Sequence, residues 1–135
     1  MLLHHADCQY VDERISMEEF AKMKRAGGES LPMGSLPVWV EDGFTQAQSS
    51  SILRTLGVRL GYYHDDPLIC WAIDSLVDFT EGLHTKFAEY ILPVMEGDGL
   101  SERDGQEWLA EYWDKLIPVV ERRFEEHGQP FVAGT

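Results

Sequence analysis

Cysteine is scarce. Cys8 and Cys70 are the only two in 135 residues, too few and too far apart for a disulfide framework or a zinc site, and they read as free thiols in a reducing compartment. Basic residues are also in short supply, 11 against 24 acidic ones. The resulting net charge of −13 repels polyanions, which argues against nucleic acid and anionic membrane surfaces as partners. Long apolar runs are missing as well. None reaches bilayer-spanning length, and Met1-Leu2-Leu3 gives way to His and Asp where a secretory signal would stay apolar, so the expected compartment is the cytosol. No internal repeat and no low-complexity segment interrupts the chain.

What is present suits a folded chain with a buried core. Apolar residues make up 44% of the sequence, with four tryptophans, so disorder is not expected. The length suits one ordinary domain and is small for two. Leu2, Leu3 and Ala6 form an apolar stripe that reads as the end of a helix within residues 1–7. Residues 9–15 alternate, Tyr10, Asp12 and Arg14 against Val11, Glu13 and Ile15, which predicts a short edge-like strand. Ser16 followed by Glu19 is a capping box, opening a helix that Gly27-Gly28 closes.

The most informative stretch runs from Gly34 to Leu56. Strand-formers at 36–40 and 44–48 flank Glu41-Asp42-Gly43, where glycine supplies the positive φ of a tight hairpin. Three serines and the series Ile52, Leu53, Leu56 follow, predicting a helix with a hydroxyl cap and unpaired N–H groups suited to a carboxylate or phosphate. Pro37, at the start of a strand, points to a cis bond at a turn, which would aim the Leu36 N–H and C=O outward toward an extended peptide.

Asp66-Pro67 is a helix start, and apolar residues from Leu68 to Ile91 recur at helical spacing until Pro93 stops them, with a bend expected near Gly82. A polar loop over 96–104 leads to a second long helix marked by Trp108, Leu109, Tyr112, Trp113, Leu116 and Phe124. Pro118 should kink that helix, and Gly128 and Pro130 should end it. The aromatic series on it reads as core. The organisation is thus an α/β unit over 1–60 and a helical unit over 66–135.

Gly34-Ser35-Leu36-Pro37-Val38, Asp42-Gly43, Gln48-Ser49 and Ser51-Ile52-Leu53-Arg54 together resemble the glutathione-site signature of the cytosolic glutathione S-transferases, in the sigma, alpha, mu and pi branch. The resemblance covers nearly all the chain. It implies α/β plus all-α architecture: a partial thioredoxin-like glutathione-binding domain over 1–60, then an incomplete helical domain over 66–135. It also implies that Gln48 and Ser49 hold the γ-glutamyl end of glutathione, that Leu36 pairs with the cysteinyl part beside a cis Pro37, and that Lys24 meets the glycyl carboxylate. Phe20 sits where many relatives have Trp.

Family members conjugate the glutathione thiolate to electrophilic apolar molecules, which requires a lowered thiol pKa. They do so as dimers, with glutathione as co-substrate and no metal. The family's catalytic Tyr, Ser or Cys lies before the position that matches Met1, and Phe131 to Thr135 resemble a stretch that precedes a further helix. The chain therefore reads as a member shortened at both ends, with weak or no transferase activity by itself. The aspartate that many relatives donate across the dimer falls on Gly82, beside Glu81.

Each residue also has a plainer reading. Gln48 and Ser49 alone could be a strand end and a helix cap, Lys24 a solvated charge near a helix C-terminus, and Glu81 a solvated helix residue. His4-His5 diverge by about 100° on a helix and have no third ligand. Cys8 lacks a CxxC partner, which weighs against a thiol reductase. A non-catalytic binding or structural module on the same fold is the alternative function.

Overall fold

The computed structural model describes residues 2–95 and 102–127, and it has the expected architecture of a small sheet followed by long helices. Contacts divide the chain into two compact units, residues 1–64 and 65–135. The first holds α1 (Leu2–His5), α2 (Met17–Ala26), β1 (Val38–Glu41), β2 (Phe44–Ala47) and α3 (Ser49–Arg59). The second holds α4 (Pro67–Met95) and α5 (Glu102–His127).

In the first unit α2 begins with a complete capping box. Glu19 N–H donates to Ser16 Oγ at 3.2 Å, and Ser16 N–H donates to Glu19 Oε2 at 2.8 Å. The Ser16 backbone N–H and then its hydroxyl hold the Glu19 carboxyl below its ordinary range. None of the helix's residues is fully buried, and Phe20, Ala21 and Met23 are half-buried, so the cap adds to modest packing.

The hairpin closes over Asp42 and Gly43, both at positive φ, 49° and 79°, as a right-twisted two-residue turn requires. Its register pairs Glu41 with Phe44 at the turn and Val38 with Ala47 at the open end. Helix α3 packs on both strands and, with Leu31, contributes the buried residues Ile52 and Leu56. Gly57 is buried too, and a side chain there would touch Tyr63.

The strand expected over 9–15 does not form. A strand needs a neighbour for its N–H and C=O groups, and among the described residues the sheet contains β1 and β2 alone. Tyr10 and Val11 are exposed, and Arg14 folds back onto Asp12 at 2.9 Å.

In the second unit Asp66 Oδ1 accepts the Leu68 N–H at 2.8 Å, capping α4 with Pro67 as its first residue. Pro93 does not stop this helix, which continues to Met95; a proline forfeits its own N–H bond without unwinding the turn already made. Helix α5 starts at Glu102, inside the expected loop, and contains Pro118. The expected terminators Gly128 and Pro130, the segment 131–135 and loop residues 96–101 lie outside the described residues.

Arg123 joins the two helices. Its guanidinium donates to Ser75 Oγ at 3.0 Å and lies 5.1 Å from the Trp71 ring. Tyr90, Trp108 and Tyr112 form a stack with centroids 4.8 Å apart at each step. The aromatic series on α5 is less buried than a core: Trp113 is 49% and Phe124 41% exposed, because two described helices alone have little depth to cover them.

Candidate functional site

The residues singled out at 36, 37, 48 and 49 converge on the open end of the hairpin. Val38 and Ala47 are the last paired residues there, so Pro37 and Gln48 extend the two strands from that pair. The Leu36–Pro37 bond is cis, and both residues are exposed. Gln48 leaves β2 at φ 74°, a conformation few non-glycine residues adopt, and this one residue turns the strand into α3.

The hydroxyl cap expected from the serines is not the one used. Gln48 occupies the cap position, its side chain makes no capping hydrogen bond, and its C=O accepts the Ile52 N–H at 2.9 Å. Ser49, Ser50 and Ser51 lie inside the first turn instead. The reason is the left-handed turn at Gln48, which starts the helix one residue after β2 ends. With no acidic residue in the first turn, the positive end of the helix dipole has no carboxylate of that turn beside it. Gln48 and Ser49 are exposed. Chemically, an exposed helix start with no carboxylate in its first turn favours a small anion.

The opposite end of α3 is fastened by residues the sequence reading did not single out. Arg59, in its last turn, pairs with both oxygens of Glu41 at the hairpin turn, the Nη2 to Oε1 contact being 2.8 Å. Trp39 Nε1 donates to Glu41 Oε2 at 3.2 Å. The Arg59 hydrogen bonds, then that of Trp39, hold the Glu41 carboxyl down to about 2, and the same contact raises the Arg59 pKa. An acid at a strand end followed by an arginine in the next helix is the only trace of this clamp in the sequence.

Phe20 and Lys24 form a separate pair. They stand one turn apart on α2, with Lys24 Nζ 5.5 Å from the Phe20 ring centroid. Among the described residues no hydrogen bond or ion pair links them to the hairpin end. Glu81 and Gly82 are exposed on α4. His5 Nδ1 lies 2.5 Å from Tyr62 Oη. Among the described residues no three His, Cys, Asp or Glu side chains are grouped to hold a metal, and no helix is long and apolar enough to cross a membrane.

No family model matches the chain. Glutathione S-transferase 2 of Caenorhabditis elegans is 33% identical over 96 residues, covering 71% of this chain and 49% of that protein. Glutathione S-transferase 1 of Ascaris suum is 28% identical over 138 positions, covering 99% of this chain and 64% of that protein. Among solved structures, a glutathione S-transferase of the hookworm Necator americanus, described as monomeric, shares the fold with a TM-score of 0.83 at 24% identity. That match covers 98% of this chain and 63% of the hookworm one. The chain thus spans from about half to just under two thirds of the length of these relatives.

Proposed function

We infer that this chain, a relative of the cytosolic glutathione S-transferases in sequence and fold, binds glutathione at the open end of its hairpin. The observation that carries the reading is the convergence of Leu36, Pro37, Gln48 and Ser49 beside the uncapped start of α3. The γ-glutamyl carboxylate sits at the α3 N-terminus, where helix N–H groups and the dipole favour an anion. The Gln48 amide, with a donor and an acceptor, serves the adjacent carboxylate and amine. The backbone of Leu36 pairs with the cysteinyl part as one strand pairs with the next. Lys24 takes the glycyl carboxylate and Phe20 flanks it.

The whole protein conjugates the glutathione thiolate to apolar electrophiles in the cytoplasm, without a metal, and pairs with a second copy of itself. Residues 1–60 form its glutathione-binding domain and residues 66–135 part of its helical domain. Within residues 1–135 no position matches the family's catalytic Tyr, Ser or Cys, so this stretch alone binds glutathione with little turnover.

Calorimetric titration of the 135-residue chain with glutathione tests the reading. Saturable binding is expected, weakened about tenfold or more by Gln48→Ala, the loss of a hydrogen bond to a charged group. Absence of heat at millimolar glutathione would overturn it.

A further inference from the structure

Helix α3 is attached to the hairpin at both of its ends, by different means. At its start one residue, Gln48 at φ 74°, joins it to β2. In its last turn Arg59 reaches Glu41, the final residue of β1. We propose that Glu41, Arg59 and Trp39 are positioning residues for the glutathione site: by holding the end of α3 against β1 they orient its first turn toward Leu36, so that the γ-glutamyl and cysteinyl contacts are made together. This rests on the glutathione reading and adds to it three residues that do not touch the ligand.

The two contacts lie on different elements. Leu36 leads into β1 through the cis bond to Pro37, whereas Gln48 and Ser49 open α3. The ladder between β1 and β2 relates Leu36 to Gln48 and leaves the axis of α3 to be set by the groups along that helix. Ile52, Leu56 and Gly57 are buried, but apolar burial has no preferred direction. A bidentate ion pair has one. Arg59 Nη1 donates to Glu41 Oε2 and Nη2 to Oε1, the latter at 2.8 Å, which fixes the plane of the guanidinium as well as its distance.

The carboxylate is fixed in turn. Trp39 lies two residues before Glu41 on the same face of β1, and its Nε1–H donates to Oε2 at 3.2 Å. The indole is half-buried, so it is not free to swing away. With its orientation set before glutathione arrives, α3 has less freedom to lose on binding.

A clamp and a simple charge effect predict different outcomes. Carboxylates outnumber the ammonium group in glutathione, and the chain carries a net charge of −13. Through the long-range field, removing the Glu41 charge would tighten binding and removing the Arg59 charge would loosen it. Through the clamp both changes weaken binding, because either one opens the same pair.

Calorimetric titration with glutathione at pH 7 of the 135-residue chain, Glu41→Gln, Arg59→Met and the double variant tests the proposal. Each single substitution should weaken binding about threefold, the worth of a well-formed exposed pair. The double variant should lose no more than either single one. Glu126→Gln, which makes the same charge change at an exposed ion pair on α5, should leave binding unchanged. Gln48→Ala should cost about tenfold in the parent chain and about threefold or less in Glu41→Gln. Gln48 and Glu41 stand at opposite ends of the hairpin, and the two losses would simply add if Glu41 served stability alone. Far-UV circular dichroism checks the fold of each variant. Arg59→Lys, which keeps the charge and loses the bidentate geometry, should fall between the parent and Arg59→Met. Opposite shifts in the two single variants overturn the proposal. So do unchanged affinities or additive losses while Gln48→Ala still weakens binding, a result that leaves the glutathione reading intact. Absence of heat from the parent chain overturns both.

Discussion

Glu41 is the residue on which acid acts most directly. Its carboxyl is held near 2 by Arg59 and Trp39, against an ordinary value of 4.5 when the chain is unfolded. Between those two values the unfolded chain takes up a proton that the folded one refuses, so the contribution of Glu41 is complete above about pH 5 and drains away as pH falls toward 2. Urea midpoints followed by Trp fluorescence should drop across that window. Glu41→Gln, which cannot titrate, should flatten that part of the profile and lower the midpoint at pH 7.

Two helical glycines make opposite predictions. Nothing lies within 4 Å of where a side chain on Gly82 would stand, so Gly82→Ala should stabilise the chain by about 0.5–1 kcal/mol through backbone entropy and helix propensity. At Gly105 an added methyl would overlap the Tyr90 hydroxyl, and Tyr90 is stacked on Trp108 and has little room to turn. Gly105→Ala should therefore cost about 1–3 kcal/mol despite its better propensity. Thermal melts of the two variants beside the parent chain decide both.

At the scale of elements, α2 depends on its cap. Ser16→Ala removes one half of the capping box and should cost about 1 kcal/mol. With no residue of α2 buried, the loss should register locally, as faster amide exchange over residues 19–24 without a comparable change in β1 or α3.

Elements whose cause is local were readable in advance. The capping box at Ser16, the Asp42-Gly43 turn, the Asp66-Pro67 helix start and the two long apolar series each carry their own signal in a few neighbouring residues. The misreadings have non-local causes. Alternation over 9–15 describes which faces a strand would offer, not whether a partner exists to pair with it. Three serines ahead of a helix promise a hydroxyl cap only if the chain enters at an extended residue, and Gln48 enters at positive φ instead. The clamp of Glu41 on Arg59 spans 18 positions and has no motif.

At the scale of the molecule, the hairpin end was legible as a group, while Phe20 and Lys24 of α2, which the resemblance assigned to the same ligand, share no hydrogen bond or ion pair with it among the described residues. Leu36, Pro37, Gln48 and Ser49 lie within fourteen residues joined by one tight turn, so the local fold alone brings them together. Phe20 and Lys24 belong to a separate helix, and their pairing with each other follows from helical spacing. The net charge of −13 is a property of the whole chain, and its self-repulsion disfavours the compact state. Raising salt from low to physiological strength should raise the melting temperature of the 135-residue chain by a few degrees as that repulsion is screened. A flat response would show that local ion pairs such as Glu41 with Arg59 offset the long-range field.

Helix α3 is a rod of 11 residues, about 16 Å long, seated on the hairpin through Ile52 and Leu56, bolted at its tail to Glu41 and turned out of β2 at its head by a single left-handed residue. Whatever docks at the head supplies a second bolt. Acidity at one extremity and a guest at the other then pull on the same lever, so the tripeptide should be gripped less firmly in acid, even though the carboxylate that sheds its charge never touches it.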